Sequence, residues 1–275
     1  MTTRLVMGMS AAEYHAYPAL GSTSLKLFAD PDKSLALAKY EMERDEHKAA
    51  YDLGTLAHAL ILEDALDDLV AYVDAPDYRS AGARKERDSA YADGLIPINS
   101  TERDTVLGPV EAMRDAVMAH PIAKDLLTGF DPEVSIFWEQ DGVQCKARVD
   151  ALKPGVAVDL KTIRDARPSA VQKQISDLGY YLQAQHYLNG VEAVTGFRPD
   201  WYFVMAQNTE PHTVSVHRLH DAVYESAQWR IDYGLQRYRQ ALEAGHWPGY
   251  DQIYEQTLPA WETLKNAELQ EQENE

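Results

Sequence analysis

Alternating polar and apolar positions mark three strands in the middle of the chain, at residues 133–139, 143–152 and 156–162. These segments are rich in β-branched residues, and the turn sequences Gln-Asp-Gly and Lys-Pro-Gly separate them. The same criteria predict two further strands at residues 200–207 and 212–219. The pattern therefore predicts a sheet built mostly from the second half of the chain.

Apolar residues three and four positions apart predict helices on both sides of these strands. The polar, basic stretch from Pro76 to Pro97 is predicted to be either a mobile loop or an irregular helix. A short helix is also predicted to end before Pro31. The remaining predicted helices span residues 10–17, 32–46, 51–64, 100–119, 121–127, 168–194 and 220–244.

The order of these elements predicts an α/β or α+β fold, in which a central sheet is flanked by helices and an N-terminal helical layer precedes it. No internal repeat or low-complexity linker interrupts the order, so residues 1–261 are predicted to form a single domain. Residues 262–275 carry five glutamates against one lysine, and this acidic tail is predicted to be disordered.

Composition restricts the compartment and the kinds of site. A single cysteine, Cys145, excludes an internal disulfide and an iron–sulfur cluster held by several thiolates. No apolar run approaches the roughly 20 residues of a membrane span, and the N-terminus lacks the apolar core of a signal peptide. We therefore expect a cytoplasmic protein that makes no contact with a membrane.

The net charge of −18 argues against broad electrostatic attraction to nucleic acid, because phosphate affinity comes from lysine and arginine. Net charge is a sum over the whole chain, however. A channel lined with basic groups can lie inside an acidic exterior.

The predicted strands each place ionisable groups on one face, because side chains two residues apart share a face. Lys146, Arg148 and Asp150 share a face of the second strand, and Asp159 and Lys161 share a face of the third. If the two strands form a hairpin, Asp150 and Asp159 lie close together across it. The opposite faces are apolar, with Cys145, Ala147, Val149 and Ala151 on the second strand and Val156, Val158 and Leu160 on the third.

Two neighbouring carboxylates repel each other, and burying them without a partner is costly. A divalent cation between Asp150 and Asp159 relieves the repulsion, and hard oxygen ligands suit Mg²⁺ or Mn²⁺. Lys161, on the same face, could hold a metal-bound water or stabilise charge on a phosphate under attack. The alternative is a solvated sheet face with salt bridges between Lys146 and Asp150 or between Asp159 and Lys161.

This arrangement resembles the PD-(D/E)XK nuclease core, and the wider pattern resembles its exonuclease VIII (RecE-type) branch, which phages and prophages carry. Asp150 followed by Asp159-Leu160-Lys161 supplies the signature of that core. Four further segments match in order over roughly residues 10–250: AAEYHAYPALGSTSLKLF, GTLAHALILE with His58, PEVSIFWEQDGVQCKARVDAL with Glu133 and Arg148, and YYLQAQHYL with Gln183 and Tyr187.

The resemblance implies a restriction-endonuclease-like mixed sheet and an Mg²⁺-dependent exonuclease acting on double-stranded DNA ends, with Mn²⁺ able to substitute. It implies 5′-to-3′ resection for phage-type recombination, a single-strand annealing recombinase as partner and a ring-like homo-oligomer. The metal ligands that the resemblance implies are His58, Asp150, Asp159 and Glu133. The implied catalytic residues are Lys161 and the same three carboxylates. The implied substrate-binding residues are Gln183, Tyr187 and Arg148.

Each of these assignments has an alternative that the sequence leaves open. His58 lies on an otherwise apolar helix and could be a core histidine, and Glu133 could be a surface charge at a strand end. Gln183 and Tyr187, one turn apart, could be the polar edge of an amphipathic helix. For the whole protein, the alternatives are an endonuclease on the same fold and a catalytically silent adaptor that binds DNA ends.

Overall fold

The computed structural model describes residues 3–44 and 49–273 and contains two sheets surrounded by helices. The strands are β1 (Arg4–Val6), β2 (Val70–Val73), β3 (Ile96–Asn99), β4 (Asp131–Gln140), β5 (Val143–Lys153), β6 (Val156–Ile163), β7 (Asp200–Gln207) and β8 (Val214–His217). The larger sheet has the order β1-β4-β5-β6-β7-β8, and β2 pairs with β3 in a separate parallel sheet.

The helices cover both faces of the larger sheet. They are α1 (Ala11–Ala16), α2 (Ser22–Ala29), α3 (Leu35–Glu43), α4 (Ala49–His58), α5 (Leu66–Leu69), α6 (Ala81–Ala92), α7 (Gly108–Ala119), α8 (Pro121–Leu126), α9 (Pro168–Asp177), α10 (Tyr180–Thr195), α11 (Asp221–Ala244) and α12 (Ala260–Glu273). Two π-helical segments, Ala59–Glu63 and Arg103–Leu107, follow α4 and precede α7. None of the described helices is long and apolar enough to cross a membrane.

The connectivity of the larger sheet explains its mixed character. β4, β5 and β6 form an antiparallel meander, as the two short turns predict. β6 and β7 are parallel, and α9 and α10 make the crossover between them, as parallel strands require. The sheet is therefore mainly antiparallel with one parallel pair, which confirms the predicted mixed α/β fold class.

Two apolar cores lie on opposite faces of this sheet. Phe28 of α2 and Leu235 of α11 belong to the core on one face, which also contains the apolar side of α10. Leu56 of α4, Met113 of α7 and Leu160 of β6 belong to the core on the other face. The sheet is thus covered on both faces, and charged groups on β5 and β6 have to find partners or a cleft.

The alternation predicted for β5 changes at Asp150. Cys145, Ala147 and Val149 belong to the core that contains Phe28, as predicted. Ala151 belongs instead to the core on the opposite face, which contains Leu56. The change coincides with Asp150, whose carboxylate bonds to the main-chain N–H of Leu160 where a regular strand ladder would continue. The prediction that Ala151 shares a face with the other three residues was wrong.

Several element boundaries differ from the prediction. The predicted helix 168–194 is divided into α9 and α10 by Gly179, which has a φ of +60°. The segment between Pro76 and Pro97 contains a regular helix, α6, and the first strand of the smaller sheet precedes it. α3 ends at Glu43, and residues 45 and 46 of the predicted helix lie outside the described residues.

The C-terminal segment, predicted to be disordered, forms the helix α12. Alanine, leucine, glutamine and glutamate, which make up most of this segment, are strong helix formers. Trp261 and Leu264 are each 65% exposed, so intrinsic propensity and not burial accounts for the helix. The domain boundary at residue 261 and disorder of the tail in solution stay predictions.

Candidate active site and metal centre

Three neighbouring strands bring three carboxylates side by side. Glu133 lies between Pro132 and Val134, whose partners Ala151 and Val149 flank Asp150, and the β5–β6 pairing ends at Ala151 and Val158, the neighbours of Asp150 and Asp159. The strands separate here, and Asp150 Oδ2 accepts a hydrogen bond from the Leu160 N–H at 2.8 Å. Asp159 is fully buried and Asp150 nearly so, which excludes a solvated sheet face.

His58, the last residue of α4, points at the same place from the neighbouring layer. Its Nδ1 lies 3.4 Å from Glu133 Oε1, and its Nε2 lies 3.7 Å from Asp150 Oδ2 and 2.9 Å from the Leu160 carbonyl oxygen. One ligand atom each of His58, Glu133 and Asp150 lie within 4.8 Å of one another. His58 is therefore part of a polar cluster at a cleft and is not a core histidine.

Asp159 faces a different set of partners. Lys161 Nζ lies 2.6 Å from Asp159 Oδ2, and Gln183 Nε2 donates to Asp159 Oδ1 at 2.7 Å. Asp159 is not in the group of three whose ligand atoms lie within 4.8 Å. Of the four metal ligands predicted, the structure thus gathers three, and Asp159 lies beside them, held by Lys161 and Gln183.

Gln183 and Tyr187, predicted to bind the substrate end, lie behind Asp159. Both side chains are more than nine-tenths buried, and the Tyr187 hydroxyl interacts with Ser22 and Gln183. Burial first, and then the charges of Asp150 and Asp159, raise the pKa of Tyr187 above its usual range. In this structure the two residues orient Asp159, and contact with a substrate stays a prediction.

The basic residues of β5 are engaged within the protein. Lys146 Nζ donates to the carbonyl oxygens of Tyr14, His15 and Tyr17 at 2.9, 3.0 and 2.8 Å, which satisfies its three N–H groups and caps the end of α1. The alternative that Lys146 pairs with Asp150 is therefore replaced by a structural role.

Arg148 links the carboxylate cluster to the N-terminal segment. Its Nε donates to Glu133, and its Nη1 donates to the Met9 carbonyl oxygen at 2.9 Å. Glu133 also has a φ of +50°, a rare conformation for a residue with a side chain, and the bonds to Arg148 and His58 hold it there. Arg148 reaches the cleft, so phosphate contact stays a prediction for it.

His58, Glu133, Arg148 and Lys161 line an open cleft of about 990 Å³, and the buried Asp150 and Asp159 contact His58 and Lys161 from within the protein. One wall is the N-terminal segment from Met7 to Ala11, which Arg148 holds through the Met9 carbonyl oxygen. The other lining groups come from α1, from α4, from the segment around α5, from β4, β5 and β6, and from the start of α10: His15, Gly54, Thr55, His58, Glu63, Ala65, Asp68, Leu69, Asp131, Pro132, Glu133, Arg148, Leu160, Lys161, Thr162 and Tyr180.

The charges of the cluster shift one another's pKa. Burial lowers the pKa of His58, but Asp150 and Glu133 outweigh burial and raise it to about 9. Burial and then the Asp159 charge raise the pKa of Asp150 to about 7. For Lys161, the charges of Asp159 and Asp150 outweigh burial, and its pKa is raised, so it stays an ammonium ion.

The donor set fits a divalent cation. It offers one imidazole nitrogen and several carboxylate oxygens, a set that Mg²⁺ and Mn²⁺ accept and that thiolate-preferring metals do not favour. Asp159 Oδ2 is buried and, within the described part of the chain, has an ion-pair partner but no well-directed hydrogen bond. Burial and then the Asp159 charge raise the pKa of Asp150, and a bound cation would offset both effects.

Residues 21–255 match the model of a family described as a PDDEXK-like domain of unknown function (DUF3799). The chain belongs to this family. The match contains His58, the three carboxylates and Lys161, and it agrees with the resemblance drawn from the sequence.

Two solved structures are similar to this PDDEXK-like chain. One, the "Putative exonuclease" from Eubacterium rectale, has a TM-score of 0.66 at 14% sequence identity and covers 94% of this chain and 98% of its own. The other, a phage related exonuclease from Haemophilus somnus 129PT, has a TM-score of 0.36 at 13% identity and covers 84% of this chain and 99% of its own. The similarity to the E. rectale structure supports the fold. The TM-score of the H. somnus structure is too low to support an argument. A search of curated proteins gave no match.

Sequence reasoning missed the main-chain groups of the PDDEXK-like site. The Leu160 N–H bonds to Asp150, and the Leu160 carbonyl oxygen bonds to His58. A pattern of side chains along the sequence does not predict such main-chain bonds. It also missed the wall formed by residues 7–11, because that segment has no regular period. The one local signal is Gly8, which has a φ of +65° where the segment turns.

Proposed function

We propose that this chain hydrolyses phosphodiester bonds of DNA as a metal-dependent exonuclease. The observation that supports this proposal most is that two cleft-lining groups, Lys161 and His58, contact the buried carboxylates of Asp159 and Asp150. In a purely structural ion-pair network, we expect the positive charges to balance the carboxylates. Here an imidazole and a lysine converge on carboxylates whose negative charge they leave partly unneutralised.

The residues divide into two roles. His58, Glu133, Asp150 and Asp159 would hold Mg²⁺, or Mn²⁺ in its place, through imidazole and carboxylate groups. The bound ion supplies a Lewis acid for the phosphate and lowers the pKa of a water molecule. Lys161 would orient the attacking water and stabilise the charge that develops on the phosphate.

Supporting residues keep this arrangement in place. Gln183 fixes one oxygen of Asp159 and leaves the other to Lys161. Arg148 would contact a backbone phosphate while it holds Glu133, and Gln183 and Tyr187 would contact the substrate end only after a rearrangement that uncovers them.

The finer features of the proposal come from the sequence resemblance. They are double-stranded ends as substrate, 5′-to-3′ resection in phage-type recombination, a single-strand annealing recombinase as partner, a ring-like homo-oligomer and a cytoplasmic location. The description of the E. rectale protein as an exonuclease supports action at an end.

The test is digestion of linear duplex labelled separately at the 5′ and 3′ ends, with Mg²⁺ and with a chelator. We expect loss of the 5′ label first, no digestion with chelator, and none by Asp150→Asn. Asp165→Asn, in an exposed ion pair with Arg167, is the matched control and should digest normally. An intact duplex with the native chain and Mg²⁺ or Mn²⁺ would refute nuclease activity, and cleavage of covalently closed circles would favour the endonuclease.

A further inference from the structure

Tyr180 lies at the edge of the cleft, directly after the connection between α9 and α10. It is the first residue of α10 and one of the residues that line the cleft. Its ring lies under the Lys161 ammonium, with Nζ 5.2 Å from the ring centre. The same Nζ lies 2.6 Å from Asp159 Oδ2. The Lys161 ammonium is therefore next to a carboxylate and to the π-face of an aromatic ring, and both attract a cation.

The Tyr180 ring is itself held by several contacts. It packs against the apolar core shared by α2, α10 and α11, and its centre lies 6.2 Å from the ring centre of Phe203. Its hydroxyl interacts with Gln174 of α9. Lys26 Nζ lies 5.6 Å from the ring centre and donates to the Leu178 carbonyl oxygen at 3.0 Å, which ties α2 to the same connection. Because the ring is fixed, a group that lies on it has a fixed place at the cleft.

The Lys161 ammonium needs such a support because its side chain is flexible. A lysine has a four-carbon stem and three N–H donors that rotate together, so an ion pair with one carboxylate leaves several orientations open. With Asp159 on one side and the Tyr180 ring on another, two of the three donors can be occupied. The third can then point into the cleft that Lys161 lines.

We propose that Tyr180 is a positioning residue whose ring fixes the Lys161 ammonium beside Asp159 and directs it into the cleft. The inference rests on the proposed function, in which Lys161 orients the attacking water and stabilises charge on the phosphate. The π-face and not the hydroxyl has this role, so phenylalanine can replace Tyr180 and an aliphatic residue cannot. The usual strength of a cation–π contact corresponds to a change in rate of about 2- to 30-fold.

The first test measures kcat and KM on end-labelled duplex with Mg²⁺. We expect Tyr180→Leu to lower kcat about 2- to 30-fold with little change in KM, because the ring acts through Lys161. Tyr180→Phe should keep most of the native kcat. In a chain that already carries Lys161→Met, Tyr180→Leu should have no further effect on kcat, because the ammonium that the ring supports is gone.

Tyr224→Leu is the matched control for Tyr180→Leu. Tyr224 is also a half-buried ring packed on the same core, and the Arg198 guanidinium lies 5.5 Å from its centre. It is not among the residues that line the cleft. Tyr224→Leu should therefore leave kcat and KM unchanged.

The second test observes the contact directly and needs neither metal nor turnover. The ring current of Tyr180 shields the ammonium protons of Lys161, so their magnetic resonance signal should lie upfield of the signals of exposed lysines. Loss of the signal in Lys161→Met assigns it. In chelator, Tyr180→Leu should move the signal to the range of exposed lysines, and Tyr180→Phe should leave it upfield.

Three results would overturn the inference: an unmoved Lys161 signal in Tyr180→Leu, native kcat in Tyr180→Leu, or an equal fall in kcat on Tyr180→Leu with and without Lys161→Met. The last would mean that Tyr180 acts independently of Lys161. Absence of digestion by the native chain would refute the proposed nuclease, whereas the magnetic resonance signal would still decide whether Tyr180 holds Lys161.

Discussion

At the residue scale, the unusual feature is a pair of aspartates buried beside each other on adjacent strands. Their mutual repulsion raises the pKa of Asp150 to about 7, after burial itself, although His58 and Lys161 both lie close. Two cations of the protein therefore do not fully neutralise the pair. A residual negative charge of this kind favours a bound divalent cation over a completed ion-pair network.

Lys161→Met should separate catalysis from metal binding. Removing the ammonium takes a positive charge away from Asp159 and Asp150, so Mn²⁺ affinity should be kept or increased, while turnover falls about 100-fold or more. Calorimetric titration with Mn²⁺ and end-labelled digestion measure the two effects. Lys173→Met, an exposed lysine paired with Asp177, is the matched control. Normal digestion by Lys161→Met would contradict the role given to Lys161.

His186 should make the fold sensitive to acid without involving the carboxylate cluster. It is completely buried beside Trp138, and burial lowers its pKa from 6.5 to about 4. The unfolded chain therefore binds the proton first, and stability that is present above pH 6.5 is lost as the pH falls towards 4.

The measurement is the free energy of unfolding of the native chain and of His186→Gln at several pH values. The advantage of the native chain should shrink between pH 6.5 and 4 by at most about 1.4 kcal/mol per pH unit, and should not vary above pH 7. A constant difference over the whole range would show that His186 does not titrate with folding.

The sequence could predict that Asp159 and Lys161 share a strand face, because a period of two fixes that geometry in a regular strand. It missed the change of alternation at Asp150, whose carboxylate bonds to the Leu160 N–H. It could not predict that Lys146 would be used up by three carbonyl groups of α1, since α1 is more than 120 residues away in the chain. The same limit applies to Gln183, whose motif was visible but whose bond to Asp159 depends on how α10 packs.

At the element scale, α10 packs against β4 so closely that one position excludes a side chain. A Cβ at Gly190 would lie 2.6 Å from a ring atom of Trp138, which is itself 2% exposed and cannot move away. Gly190→Ala should therefore lower the free energy of unfolding by about 1–3 kcal/mol through overpacking, as urea denaturation would measure.

Gly82→Ala supplies the matched control for that substitution. Gly82 lies in α6 and a Cβ there meets nothing within 4 Å, so alanine should cost nothing and can add up to about 1 kcal/mol through helix propensity. Opposite signs for the same chemical change would establish that packing against Trp138 decides the first result. Equal effects would mean that α10 can shift away from β4.

Element boundaries were least predictable where a helical period continues through a break. The apolar period runs on from α9 into α10, yet Gly179 adopts a left-handed conformation, and Lys26 bonds to the carbonyl before it. Likewise, Ala59–Glu63 reads as a continuation of α4 but adopts a π-helical turn directly after His58. Both breaks lie beside the cleft, where backbone irregularity is common at functional sites.

At the scale of the whole molecule, the cleft lies where the two layers of helices meet the diverging strands. His58 comes from the layer on one face, Gln183 from the layer on the other, and the carboxylates come from the sheet between them. The site therefore depends on the complete fold, which agrees with a family match that spans residues 21–255.

Removal of residues 260–275 should leave the fold intact and change only the electrostatics. The described side chains of α12 are almost all exposed, so the free energy of unfolding should stay within about 0.5 kcal/mol of that of the full chain. The truncation removes five glutamates and one lysine from a chain of net charge −18. It should therefore raise affinity for duplex DNA at low salt and have no effect at high salt, where such charges are screened.

A full-length chain with the five glutamates changed to glutamine is the control and should show the same salt dependence. A loss of stability on truncation would mean that α12 packs against the domain.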